Sequence, residues 1–295
     1  MNTAVWSAIS AGIAGACGAP FAIESRTPVD GGCINQCYRV AGPGRVFFVK
    51  LNSADRHAMF TAEAAGLAEI AATATIHVPA PVCCGSNHDA AWLVLEHVEF
   101  GDATTHSMAR LGEQLAALHR VTAKQFGWSA DNTIGATPQI NTQSRDWIAF
   151  WREYRLGYQL GLAAQNHAPA SLLNKGARLA LGIEALLQNV TVKPALLHGD
   201  LWGGNAGFDR AGVPVIFDPA VYYGHREADL AMTELFGGFS ADFYSAYRAS
   251  YALDAGYEVR KQLYNLYDVL NHFNLFGGGY AAQAETLVDR LLAEI

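Results

Sequence analysis

The apolar positions of this chain change their period about a third of the way along. Two β-rich runs, 33–40 (CINQCYRV) and 45–51 (RVFFVKL), flank Gly42-Pro43-Gly44, a hairpin-type break. A stretch rich in Ala, Glu and Leu then predicts a helix over 56–73, and short strands follow near Val82 and over Ala91–Glu96 (AWLVLE). After Gly101 the spacing becomes helical. Met108, Leu111, Leu115 and Leu118 share one helical face, as do Val259, Leu263, Leu266, Leu270 and Phe273, and both stripes read as core. A β-rich portion followed by a helical one is an α+β pattern, with its boundary near Val98–Gly101, so the expected lobes are 1–98 and 99–295. The apolar start up to Gly18 lacks the basic residues of a secretory signal and reads as an amphipathic helix of the mature protein.

Composition narrows the class. Of the 295 residues, 51% are hydrophobic and 16% charged, which suits a globular protein with a sizeable core and excludes disorder. A formal net charge of -7 gives no electrostatic basis for nucleic acid or an anionic membrane as partner. No run approaches the ~18 apolar residues of a membrane span, so the chain is placed in the cytoplasm. Five cysteines, Cys17, Cys33, Cys37, Cys83 and Cys84, make an odd count without metal-ligand spacing, and are expected to be reduced thiols packed as small hydrophobes.

The segment Leu196-Leu197-His198-Gly199-Asp200-Leu201-Trp202-Gly203-Gly204-Asn205 carries the chemistry. It leaves an apolar strand-like run and continues as a polar, glycine-containing loop. Two β-rich pieces, Ala206–Phe208 and Val213–Phe217, follow around a turn at Asp209–Gly212 and end in Asp218. Such a hairpin could present Asp200, Asn205 and Asp218 together. Phosphoryl transfer needs that inventory: a carboxylate to take the proton of an attacking hydroxyl, and two oxygen ligands for Mg²⁺ on the nucleotide phosphates. Aspartate, asparagine five residues on, then a strand pair ending in aspartate is the catalytic-loop and metal-loop layout of kinases.

Three upstream features agree. Lys50 ends the apolar strand Val46-Phe47-Phe48-Val49, where a cation could meet ATP phosphates. Glu63 lies on the expected helix, placed to ion-pair with Lys50 and fix its direction. Asp30-Gly31-Gly32-Cys33-Ile34-Asn35 lies between two expected strands and could cover phosphates with backbone N–H groups. The order of glycine loop, lysine, helical glutamate, Asp/Asn and Asp is more telling than any one member.

The stretches GGCINQCYRV, FVKL, EAAGL, LLHGDLWGGN, IFDPAVYYGHREADLAM and YNLYDVLNHFNLFGGGY resemble the fructosamine kinase (ketosamine-3-kinase) family over essentially the whole chain. The resemblance implies a two-lobed, protein-kinase-like fold and transfer of the ATP γ-phosphoryl group to the sugar 3-hydroxyl of a ketosamine, free or protein-borne, leading to deglycation. By position, Asp200 resembles the catalytic base, Asn205 and Asp218 the Mg²⁺ ligands, and Lys50 and Glu63 the phosphate-orienting ion pair. Gly31, Gly32, Cys33, Ile34 and Asn35 match the phosphate-covering loop, and Glu96, His97 and Val98 the hinge whose backbone would bind adenine. Trp202, close to Asp200, is expected to wall the acceptor pocket. Asp229 is expected to brace the catalytic loop. Cys33 is a candidate redox switch, since an oxidised thiol there would obstruct nucleotide.

Some features depart from protein kinases: Gly199 stands where an arginine would read an activation-loop phosphate, Asp218-Pro219-Ala220 replaces Asp-Phe-Gly, and no Ala-Pro-Glu follows. The competing readings are a kinase for another small alcohol, such as an aminoglycoside or amino alcohol, and a catalytically dead nucleotide-binding scaffold. Monomer and homodimer both remain open.

Overall fold

The computed structural model describes residues 3–30 and 34–295, so Gly31, Gly32 and Cys33 lie outside the described residues. Two compact units emerge, Met1–Thr104 with Gly207–Pro219, and Thr105–Ala206 with Ala220–Ile295. Sequence order and units are therefore not collinear: the segment delivering Asp218 goes with the first.

The first unit is built on an antiparallel sheet with strand order β1-β2-β3-β5-β4. The strands are β1 (Ser25–Val29), β2 (Gln36–Gly42), β3 (Arg45–Asn52), β4 (Pro81–Ser86) and β5 (Ala91–Glu96). Helix α1 (Thr3–Cys17) presents Val5, Trp6, Ile9 and Ile13, a stripe at helical spacing, to one face of the sheet. There it meets Val40, Phe47, Val49, Leu51, Trp92 and Val94. Because side chains alternate along a strand, burying Phe47, Val49 and Leu51 under α1 sends Lys50 to the opposite face. Helix α2 (His57–Ala72) buries Phe60 and Leu67, and Glu63 lies between them on the same inward stripe. Register places Lys50 between Cys37 and Leu93, in the middle strand of the sheet.

A second small sheet, order β11-β10-β6, joins β6 (Phe100–Gly101), β10 (Ala206–Asp209) and β11 (Pro214–Ile216). Its turn closes as the sequence suggested. The Asp209 carboxylate accepts from the N–H groups of Ala211 and Val213, and Gly212 sits at φ 76°, where a side chain would be strained.

The second unit is mostly helical: α3 (Thr105–Leu118), α4 (Trp147–Phe150), α5 (Tyr158–Gln165), α6 (Ala170–Gly182), α7 (Glu184–Leu187), α8 (Glu227–Leu235), α9 (Ala241–Ser250), α10 (Tyr257–Phe276) and α11 (Tyr280–Leu292). Between α4 and α5 runs one π-helical stretch, Trp151–Gly157. Short pairs β7 (Asn132–Ile134) with β8 (Thr137–Gln139), and β9 (Ala195–Leu197) with β12 (Tyr222–Gly224), complete it. Leu111, Leu115 and Leu118 are buried as expected, while Met108 is only half-buried. The stripe expected on α10 understates that helix. Arg260, Tyr264, Asn265, Tyr267, Asp268 and Asn271 are buried along with Leu263, Leu266 and Leu270, so α10 is enclosed on several faces and carries polar groups inside.

The cysteines differ from expectation. Cys17 and Cys84 are exposed, and Cys37 and Cys83 only half-buried, so no described thiol is a core hydrophobe. Burial first of all pushes Cys37 and Cys83 up to about 11, which keeps both protonated. No helix among the described residues is long and apolar enough to cross a membrane.

Candidate active site

In the first unit Lys50, 2% exposed, donates from Nζ to Glu63 Oε1 at 2.6 Å and to Asp218 Oδ1 at 2.5 Å. Burial alone would lower the lysine, but the charges of Asp218 and Glu63 outweigh it and hold the ammonium above its ordinary range. One cation faces two carboxyls. Glu63 is accordingly raised, by burial first and by Asp218, with Lys50 opposing. Asp218 adopts φ 58°, a left-handed conformation that costs a non-glycine residue about 1–3 kcal/mol and marks functional turns.

The Ile34–Asn35 end of the glycine loop is fixed to β3. The Asn52 amide donates to the Ile34 carbonyl at 3.1 Å and to Asn35 Oδ1 at 2.8 Å, two residues beyond Lys50. Glu96 closes β5 by donating its N–H to the Ala80 carbonyl at 2.8 Å, and its carboxylate accepts from the Ala80 N–H at 3.2 Å. His97 and Val98 follow, with His97 lowered by burial and then by Arg39.

In the second unit the loop after β9 is held by Asp229, near the start of α8. Its carboxylate accepts from the backbone N–H groups of His198 at 2.7 Å and Gly199 at 2.8 Å, and is 3.1 Å from His119 Nε2. Burial would raise Asp229, but these bonds outweigh it and hold the carboxyl below its usual range. His119 is fully buried and lowered by that burial, so it meets Asp229 as a neutral hydrogen-bond donor, with its other ring nitrogen 2.8 Å from the Tyr247 hydroxyl. Gly199 takes φ 84°, and a Cβ there would run into the carbonyl of Ala220, whose N–H donates to the His198 carbonyl at 2.8 Å. Only glycine allows that approach.

Asn205 turns its amide N–H group onto Asp200, donating to the backbone carbonyl at 2.8 Å and to Oδ2 at 3.2 Å. Its own carbonyl oxygen is thereby left facing away from those bonds. Trp202 is 39% exposed, meets Phe236 edge-on at 6.3 Å, and covers Gly204 so closely that no Cβ would fit.

Lys50, Glu63 and Asp218 are thus assembled in one unit, and Asp200, Asn205 and Trp202 share the other. No group of three His, Cys, Asp or Glu side chains among the described residues could hold a metal unaided. Asn205 and Asp218 offer hard oxygens, the donor type Mg²⁺ uses when most of its shell is phosphate and water. Sequence reasoning missed His119 and the buried Asp268.

Comparison with known proteins fits this geometry. A family model for fructosamine kinase matches residues 5–294. The chain belongs to the fructosamine kinase family. Within it, the chain is 49% identical to a probable ketoamine kinase of Synechocystis, over 99% of this chain and 98% of that one. It is also 45% identical to the chloroplastic protein-ribulosamine 3-kinase of Arabidopsis thaliana, over 90% of this chain and 81% of the relative. Among solved structures, a candidate fructosamine-3-kinase from Haemophilus somnus superimposes with TM-score 0.89 at 28% identity, covering 97% of each chain. An aminoglycoside phosphotransferase, APH(4)-Ia, gives TM-score 0.63 at 15% identity over 96% of this chain and 98% of its own, a likeness of fold alone. This family member therefore has the kinase-like fold expected from its sequence.

Proposed function

We propose that this protein is an ATP-dependent ketosamine 3-kinase, transferring the γ-phosphoryl group of ATP to the sugar 3-hydroxyl of ribulosamine or fructosamine adducts. The likeness to a named protein-ribulosamine 3-kinase over 90% of the chain carries the reading. The braced Asp200 loop and the Lys50–Glu63–Asp218 cluster supply chemistry that fits it.

In this reading Asp200 orients the acceptor hydroxyl and accepts its proton as the oxygen bonds to the γ-phosphorus and the bond to ADP breaks. Lys50, directed by Glu63, holds the phosphates, the loop from Gly31 to Asn35 covers them, and the backbone at Glu96–Val98 receives adenine. Asn205 and Asp218 are the proposed Mg²⁺ ligands; the metal, when bound, neutralises charge building on the phosphates. Catalysis then rests mostly on positioning and electrostatic stabilisation. In the phosphorylated adduct the C1–C2 enaminol can expel the C3 phosphate, and water then hydrolyses the resulting C1 imine to free the amine, which is deglycation. Trp202, exposed close to Asp200, is the proposed wall of the acceptor pocket. Trp202→Ala should raise acceptor KM far more than Trp202→Phe, and equal values in both would remove it from that role.

An ADP-release assay with Mg²⁺-ATP and a panel of ribulosamines, fructosamines, aminoglycosides and choline tests the function. Selective ketosamine turnover is expected. Asp200→Asn should lower kcat by roughly 10²–10⁴-fold, with ATP affinity little changed. Turnover of only another acceptor, or near-normal turnover by the variant, would overturn the substrate or the base assignment respectively.

A further inference from the structure

Asp268 lies inside α10, 5% exposed, and no hydrogen bond or ion pair to its carboxyl exists among the described residues. That is unusual for a buried carboxyl, which ordinarily finds a donor or a cation. It is not sealed in either. Among the described residues, the buried, unbonded side-chain atoms cut off from solvent are on Gln114, Trp151, Arg155, Gln262 and Asn265, and Asp268 is not among them, so its unbonded oxygens keep an opening.

The charges around it are Asp200, Asp229 and Arg155. Burial and then the two aspartates hold Asp268 well above the usual carboxylate range. Arg155 makes no hydrogen bond to it: the two terminal nitrogens of its guanidinium are committed elsewhere, and Nε is unbonded. The guanidinium donates to the Ile140 carbonyl at 2.6 Å and Asn141 Oδ1 at 2.7 Å, and lies 4.1 Å over the Tyr222 ring.

One turn further along α10, His272 donates to the Asp268 backbone carbonyl at 2.8 Å. The His272 ring packs on Phe236 at 4.6 Å, and Phe236 meets Trp202. A run of rings thus leads from Trp202, two residues past Asp200, back to the turn that carries Asp268. The environment has an acidic, partly open centre whose three carboxyls outnumber the one guanidinium nearby, and an aromatic side suited to a further cation.

We propose that Asp268 receives the protonated nitrogen of the ketosamine, so that Asp200 takes the acceptor's hydroxyl and Asp268 its ammonium. This rests on the ketosamine reading above. A ketosamine carries a basic secondary amine on the carbon next to its ketone, a few bonds from the 3-hydroxyl. The arriving cation supplies the missing counter-charge, and a neutral ketose lacks it.

The test compares two acceptors on one sugar, a 1-alkylamino-1-deoxyketose and its 1-O-alkyl ether, in wild type, Asp268→Asn and Asp268→Glu. Wild type should favour the amine by at least about tenfold in kcat/KM, and Asp268→Asn should cut that value by roughly 30-fold for the amine, chiefly through KM, the scale of unpairing one buried charge. The ether should change less than about threefold, Asp268→Glu should keep part of the preference, and the melting temperature of Asp268→Asn should hold or rise. Equal losses on both acceptors, or a wild type indifferent to the amine, overturn the inference while leaving the kinase reading intact. A wild type that turns over neither acceptor sinks the ketosamine reading and this inference with it. A wild type indifferent to the amine overturns the inference even if both variants fail to fold.

Discussion

Glu63 in the first unit, 11% exposed, and Asp229 in the second, 1% exposed, are carboxyls turned inward, yet they are satisfied by opposite means. Glu63 meets a full positive charge, Lys50, which it shares with Asp218. Asp229 meets two backbone N–H groups and a neutral histidine. An ammonium shared by two carboxylates can exchange a partner for a phosphate oxygen at little cost, because every geometry it visits keeps opposite charges in contact. Amides of His198 and Gly199 have no such freedom, since withdrawing Asp229 would strand them in the interior. The first arrangement is suited to a ligand that comes and goes, and the second to a backbone that must stay still just ahead of Asp200.

The sharpest way to break that contrast is Lys50→Met. It should lower kcat/KM for ATP by roughly 10²–10³-fold, the range for losing one preorganised charge-stabilising donor, while Glu63, already raised by burial, takes up a proton, so that the melting temperature falls less than in Asp229→Ala. A large stability loss with activity intact would reverse the roles. Asp229→Ala should do the opposite, costing about 3–5 kcal/mol in urea unfolding because three donors lose their acceptor. A variant as stable as wild type would end the idea of a brace.

The pH dependence of stability sharpens it further. His119 and His225 are buried and lowered, so the folded state refuses protons that the unfolded chain takes near pH 6.5. Their contribution is complete above that value and is lost as pH falls, by up to about 1.4 kcal/mol per pH unit for each. Asp229, also lowered, keeps its contribution down to the ordinary carboxylate range near pH 4 and loses it below. Glu63 is raised, so its contribution runs the other way, present at low pH and lost as pH rises through its folded value. The fall in urea midpoint between pH 7 and 5 should therefore be steeper in Glu63→Gln than in wild type, and identical slopes would refute it. The smallest effect belongs to that variant's catalysis. Lys50 retains Asp218, so kcat/KM for ATP should drop only about 3–10-fold.

Local pattern made much of this legible. The apolar alternation of VFFVKL singled out Lys50, since a period of two cannot bury Phe47, Val49 and Leu51 on one face without sending the lysine to the other. Glu63 could be placed because helix spacing sets it between Phe60 and Leu67. Asp209 and Gly212 announced their own turn. The rest depended on contacts that no local window contains. The bond from Lys50 to Asp218 joins residues 168 apart, and that from His119 to Asp229 residues 110 apart. Asp268 sat beside an apolar stripe that looked like an ordinary amphipathic helix, and only the enclosure of α10 on several faces reveals a buried carboxyl.

The placement of Gly207–Pro219 with the first unit has a consequence during synthesis. When Thr104 leaves the ribosome, the sheet and α1 are complete, but β6 lacks its partner strand and Lys50 lacks one of its two carboxylates. At ordinary elongation rates the missing stretch follows only on the order of ten seconds later. Over that interval a nascent lobe is exposed with an unpaired strand edge and a buried ammonium missing one of its two acceptors, the features that invite mispairing and chaperone attention. The emergence of Asp218 thus closes the lobe, late and from a distance.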